Sequence, residues 1–165
     1  MTGAWSGDVT VLEIDGERLR RKGTIRVGFE PWGLAVAADG RRAYVGLVAS
    51  GQVAELDVTS KRVTRRIDAG AWPRSLALSP DGSRLAVGCS GEGRIVVIGT
   101  QSGETLYEEA LANGINIGHM RTSADGRFVY FPWMVYRTNP ITEANSRRGG
   151  VLARRIRRGR VDATP

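Results

Sequence analysis

Pro31-Trp-Gly-Leu-Ala-Val-Ala-Ala-Asp-Gly40-Arg-Arg-Ala-Tyr-Val45 lines up with Pro73-Arg-Ser-Leu-Ala-Leu-Ser-Pro-Asp-Gly82-Ser-Arg-Leu-Ala-Val87, 42 residues further on. The centre returns a third time as Arg121-Thr-Ser-Ala-Asp-Gly126-Arg-Phe-Val-Tyr130. In every copy two apolar runs flank Asp-Gly. That pair supports a tight turn, because Gly takes a positive φ without a Cβ clash and the Asp side chain can accept from the turn's own amides.

A second element repeats between these copies: Ser6-Gly7-Asp8-Val9 leading to Asp15, Ser50-Gly51-Gln52-Val53 leading to Asp57, and Gly91-Glu-Gly-Arg94 leading to Ile98. Each is followed by a polar turn and a further strand-like run, Gly23 to Val27, Arg62 to Ile67 and Glu104 to Leu111. The unit therefore reads strand, Asp-Gly turn, strand, Ser-Gly turn, strand, polar turn, strand. Residues such as Val53, Val63, Ile67, Leu76, Val87 and Val96 suit half-buried pleated surfaces. Four short antiparallel strands in about 42 residues match one blade of a β-propeller, against the alternative of a β-sandwich with coincidental turns.

The pairing of Ser79-Pro80-Asp81-Gly82 with Ala43-Tyr44-Val45-Gly46, and then with Ser50-Gly51-Gln52-Val53-Ala54-Glu55-Leu56-Asp57-Val58-Thr59, resembles the YVTN-type β-propeller repeat. The resemblance covers residues 6 to about 131 and extends to surface-layer and quinoprotein amine dehydrogenase-like propellers. Pro31 and Pro73, opening their blades after Gly28 and Gly70, fit it. Gly46-Leu47 departs from it, since Ala-Asn is the commoner pair there.

The expected fold is thus all-β, an incomplete propeller of about three to four blades of four antiparallel strands. A blade remnant covers residues 1–28, blades cover 29–70 and 71–114, and an interrupted blade covers 115–161. Closed propellers have roughly four to eight blades. The sequence reads as a fragment, or as a short chain that closes by associating with a second copy.

The interruption follows the third Asp-Gly. Gly40 to Gly51 is a step of 11 residues, whereas Gly126 to Gly150 is 24, which places an insertion within about Trp133 to Arg148. Long loops in compact domains are usually functional or disordered. This one, with Phe131, Trp133, Met134, Tyr136 and Arg137, is too rich in large side chains for disorder. Two readings stand: a loop at the rim or mouth that binds a partner, using residue types that anchor interfaces, or a loop folded back over the neighbouring blade. His119, the sole histidine, is expected on the innermost strand of this blade. It would be a packed or channel-lining residue, or else a haem-iron ligand with Met120 pointing away by strand alternation.

Composition removes several classes. No apolar run reaches the roughly 20 residues of a membrane span, and residues 1–8 encode no secretory signal. Cys89 is alone and His119 is alone, so no Cys-X-X-Cys-His haem attachment, internal disulfide or multi-histidine metal centre is encoded. The net charge of +7 is unevenly placed: residues 1–145 hold 17 bases and 16 acids, while seven arginines and one acid follow residue 146. The basic end aligns with the third strand of a blade and has no aromatic partners for stacking, which weighs against nucleic acid.

No complete catalytic constellation is present. The reading is a non-catalytic interaction or scaffold module whose partner is a protein or the missing blades, with no cofactor in the chain itself. Its candidate binding residues are His119, Arg121, Phe131, Trp133, Met134, Tyr136 and Arg137. The resemblance also implies two alternatives: the propeller portion of a redox protein with haem or quinone in a partner domain, and a lactonase-like hydrolase using Arg74, His119 and Arg121. No compartment follows from the sequence, although related propellers are often periplasmic or at the cell surface.

Overall fold

The computed structural model describes residues 1–111 and 116–133 with their side chains, and residues 134, 149–157 and 160–163 as backbone. The described residues form strands and turns only. The strands are β1 (Thr2–Gly3), β2 (Asp8–Asp15), β3 (Arg18–Arg26), β4 (Pro31–Val36), β5 (Arg42–Leu47), β6 (Gln52–Asp57), β7 (Arg62–Asp68) and β8 (Pro73–Leu78). They continue as β9 (Arg84–Cys89), β10 (Arg94–Gly99), β11 (Thr105–Ala110), β12 (Asn116–Ile117), β13 (Arg121–Thr122), β14 (Phe128–Met134), β15 (Gly149–Arg157) and β16 (Arg160–Ala163).

They build four antiparallel meanders: β1-β2-β3, β4-β5-β6-β7, β8-β9-β10-β11, and β12-β14-β15-β16 with β13 also on β14. These are propeller blades, and the array is incomplete. The first sheet lacks the strand that opens the others, and the first strand of the last sheet is split into β12 and β13. Successive opening strands lie side by side, β4 against β8 and β8 against β13.

The repeat explains the packing. The two middle sheets are covered on both faces, so their central strands are apolar at successive positions and sort them by alternation. On β5, Ala43, Val45 and Leu47 join Val9, Ile25 and Val27 of the sheet before, whereas Tyr44 joins Leu76, Leu85 and Val87 of the sheet after. On β9, Leu85, Val87 and Cys89 face backwards, and Ala86 faces forwards to Ile117, Met120, Val129 and Phe131.

Each forward face carries a glycine where the next blade crosses closest. A Cβ on Gly46 would lie 1.9 Å from the Pro73 carbonyl oxygen, and one on Gly88 would lie 2.8 Å from Cγ2 of Ile117. Gly46 is glycine because the next blade's opening strand passes directly over it. Polar staples join the same blades at their outer ends. Arg65 bonds Glu55 Oε2 through Nε (3.1 Å) and Nη2 (2.8 Å), and also donates to the carbonyls of Thr100 and Gln101 in the following blade.

Each Asp-Gly turn has the expected chemistry. Gly40, Gly82 and Gly126 have φ of 67°, 70° and 67°. Asp39, Asp81 and Asp125 accept from the amides of Arg41, Ser83 and Arg127 at 2.9, 3.1 and 3.0 Å. Each carboxyl sits below its ordinary pKa. The Ser79 hydroxyl, then the Ser83 amide and hydroxyl, hold Asp81 down to about 2.

One expectation needs correction. The stretch after Asp15 is not a long polar turn: β2 and β3 continue to a tight hairpin in which Asp15 pairs with Arg18 and Ile14 with Leu19. Its charges mark an exposed outer ladder, with ion pairs Arg20–Asp15 (2.9 Å) and Lys22–Glu13 (3.0 Å), rather than a loop. The insertion expected within about Trp133 to Arg148 is narrowed by strand pairing. Trp133 and Met134 continue β14, opposite Gly150 and Gly149, so the extra length falls within residues 135–148, outside the described residues.

Candidate functional site

The meander fixes what shares an end. The turns joining second to third strands and the linkers between blades lie together, opposite the Asp-Gly turns. The backbone ties them: Glu30 N donates to Ala4 O, Val48 N to Glu30 O, and Ser90 N to Trp72 O. At this end lie four large exposed aromatics, Trp5, Phe29, Trp32 and Trp72. Trp5 and Phe29 meet edge to face at 6.5 Å.

The centre of the patch is Arg74. Its guanidinium carbon lies 4.6 Å from the centroid of Trp32 and 5.5 Å from that of Trp72. Trp32 and Arg74 occupy the same position in consecutive blades, directly after the opening proline, where the ladder slips by one residue between Pro31 and Leu34 and between Pro73 and Ser75. Such a bulge re-aims a side chain. Trp72 is set by the linker, and it adopts φ of 56°, as its counterpart Glu30 does at 52°. A bulky residue in the left-handed region is an outlier that structure must impose. Both indoles are about half exposed, 49% and 51%, although an arginine links them. An exposed aromatic patch of this kind marks a contact surface.

The residues expected from the sequence separate. His119 lies in the break between β12 and β13 rather than on a continuous strand, and it is exposed. Met120 beside it is buried with Phe131 and Val129. Arg121 is exposed and donates through Nη1 to Met120 O at 3.0 Å. Phe131 is fully buried in the core between the last two blades, where it is spent on packing rather than displayed for a ligand. Trp133 is half-buried against the same core, and its Nε1 is buried without a partner among the described residues. Met134 is the last residue of β14, and Tyr136 and Arg137 lie outside the described residues.

Trp5, Phe29, Trp32 and Trp72 went unread in the sequence. The signal was there: Pro31-Trp32 and Trp72-Pro73-Arg74 place large side chains around the opening proline of two successive repeats. Among the described residues, no group of three His, Cys, Asp or Glu side chains is placed to hold a metal. None of their helices is long and apolar enough to cross a membrane, for they form none. At the opposite end a shallow groove between the second and third blades is lined by Arg42, Asp81, Ser83 and Thr100. It adjoins the Glu55–Arg65 pair, which is satisfied internally.

No protein-family model matches the chain, and no curated protein matches it. Among solved structures it is similar to hydrazine synthase of Kuenenia stuttgartiensis, a β-propeller-containing protein, with a TM-score of 0.56 and 20% sequence identity. The likeness covers 94% of this chain and 60% of that one, so this chain spans less than two thirds of its length. At this identity the likeness establishes the fold.

Proposed function

We propose that the chain is a non-catalytic β-propeller interaction module whose working surface is the end carrying Trp5, Phe29, Trp32, Trp72 and Arg74. The observation that carries this is the Trp32–Arg74–Trp72 cluster, two half-exposed indoles around one cation at a bulge used in consecutive blades. Aromatics and arginine are the side chains that most often anchor protein interfaces. Site-specific photo-crosslinking tests it. A benzophenone at position 32 or 72 should capture one discrete protein in extracts of the native cell, while a benzophenone at Asp39, at the opposite end, should not. Equal labelling from both ends, or none from either, would overturn it.

A second reading, the propeller portion of a haem- or quinone-linked redox protein, draws on the exposed position of His119 and on the likeness to a protein named hydrazine synthase. The described residues around His119 do not form a haem pocket: Met120 points into the core, and no second histidine exists in the chain. His119 would therefore serve as one ligand to a group held by a partner domain. Capture of a cytochrome-type protein by the position-32 cross-linker favours this reading, and capture of a protein without a redox group removes it. The hydrolase reading gains no such support, since Arg74 is clasped by indoles and Arg121 bonds a main-chain carbonyl.

A further inference from the structure

Arg74 is held without being neutralised. Two indoles fix its guanidinium, yet among the described residues it makes no ion pair and no hydrogen bond, and its Nε is buried without an acceptor. The other cations anchored near this end are engaged. Arg26 donates to Ser6 O (3.4 Å) and Arg66 to Val27 O (2.8 Å), and Arg94 pairs with Glu92 (2.7 Å) and Glu108 (2.6 Å). The two Nη groups of Arg74 are neither buried nor bonded. Contact with ring faces consumes none of their N–H groups, so this end of the guanidinium stays available for a two-oxygen anion.

We infer that this cluster is a receptor for an acidic peptide segment of a protein partner, in which one Asp or Glu carboxylate bonds Arg74 and neighbouring apolar side chains cover Trp32 and Trp72. The inference rests on the interaction-module reading and names its ligand. A single open cation within an aromatic surround matches a single carboxylate flanked by apolar residues. Nucleic acid presents a phosphate about every 1.7 Å of duplex and is held by several cations at once. Among the described residues, this end offers one unengaged arginine beside four aromatics.

The test uses the full chain and two pools of capped pentapeptides, acetyl-X-Leu-Glu-Phe-X-amide and the same with Gln for Glu, titrated calorimetrically. The Glu pool should bind about tenfold or more tightly than the Gln pool, the scale of one charge-assisted contact. Arg74→Gln should erase the difference, and Arg74→Lys should keep part of it, because charge survives while the fork is lost. Should Arg74→Gln fail to fold, the Glu-against-Gln comparison in the native chain and Arg74→Lys still decide. Equal affinity for both pools, binding of neither, or displacement of the Glu pool by a dT dodecamer at lower concentration would overturn the inference. A face-specific cross-link with no Glu preference would sink this inference alone and leave the interaction module standing.

Discussion

Gly46 and Pro73 stand so close that a Cβ on the first would lie 1.9 Å from the carbonyl oxygen of the second. The contact is with backbone at the start of the next blade, so it cannot be relieved by a side-chain rotation. Gly46→Ala must push two sheets apart, and it should cost about 3 kcal/mol, the upper end for overpacked cores. The equivalent Gly88 meets a side chain instead, with Cγ2 and Cβ of the buried Ile117 at 2.8 and 3.2 Å. A stiff β-branched residue yields little but more than backbone does, so Gly88→Ala should cost less, about 2 kcal/mol. Urea unfolding of both variants checks the order. If Gly88→Ala is the more damaging, the blades are not spaced by these glycines.

Acid sensitivity should centre on Asp81. Its folded pKa of about 2 lies below the roughly 3.9 of an unfolded aspartate. A depressed carboxyl contributes stability that is fully present above the unfolded pKa and is lost as pH falls through the folded value. The gap in urea midpoint between the native chain and Asp81→Asn should therefore be constant above about pH 5 and shrink as pH approaches 2. An unchanged gap at pH 2 would show that the ionised carboxylate is not what holds this turn.

Cys89 should be chemically silent while the protein is folded. It is fully buried, its Sγ contacts Ala69 O at 3.2 Å, and burial pushes its thiol up to about 12. The thiolate is the reactive species. At pH 8 its population should be on the order of a thousandfold below that of an unfolded cysteine. Iodoacetamide labelling should accordingly be slow in buffer and rise sharply across the urea transition. Labelling in buffer at the rate of a free thiol would contradict this packing.

The blades were legible because each turn carries its own local chemistry, Asp with Gly, repeated at a fixed spacing. Tertiary requirements were less visible. The need for glycine at position 46 comes from Pro73 of the next blade, 27 residues away in sequence. The first half of β3, Arg18 to Lys22, read as a turn because it is exposed on both faces, which leaves no alternation to detect. The placement of Phe131 was hidden for a related reason. Phe131 and Trp133 form a conspicuous cluster in sequence, but strand alternation and the adjacent blade send Phe131 into the core. Trp32 and Trp72 are separated by a full repeat, and only the lateral stacking of β4 and β8 brings Arg74 to both.

Trp72 offers a test of whether the patch is maintained at the expense of stability. Its φ of 56° lies where a glycine is comfortable and an L-residue strained. Ala and Gly at this position both remove the indole and its contact with Arg74, so comparing the two variants isolates the backbone. Trp72→Gly should be more stable than Trp72→Ala by about 1 kcal/mol, although glycine in an ordinary extended segment would be the less stable of the two. Both should weaken peptide binding alike, because both lose the same ring. Thermal unfolding and calorimetry on the pair give the two readouts separately. An alanine variant as stable as the glycine one would mean that the linker does not impose the left-handed conformation, and a glycine variant with undiminished binding would mean that Trp72 is no part of the receptor.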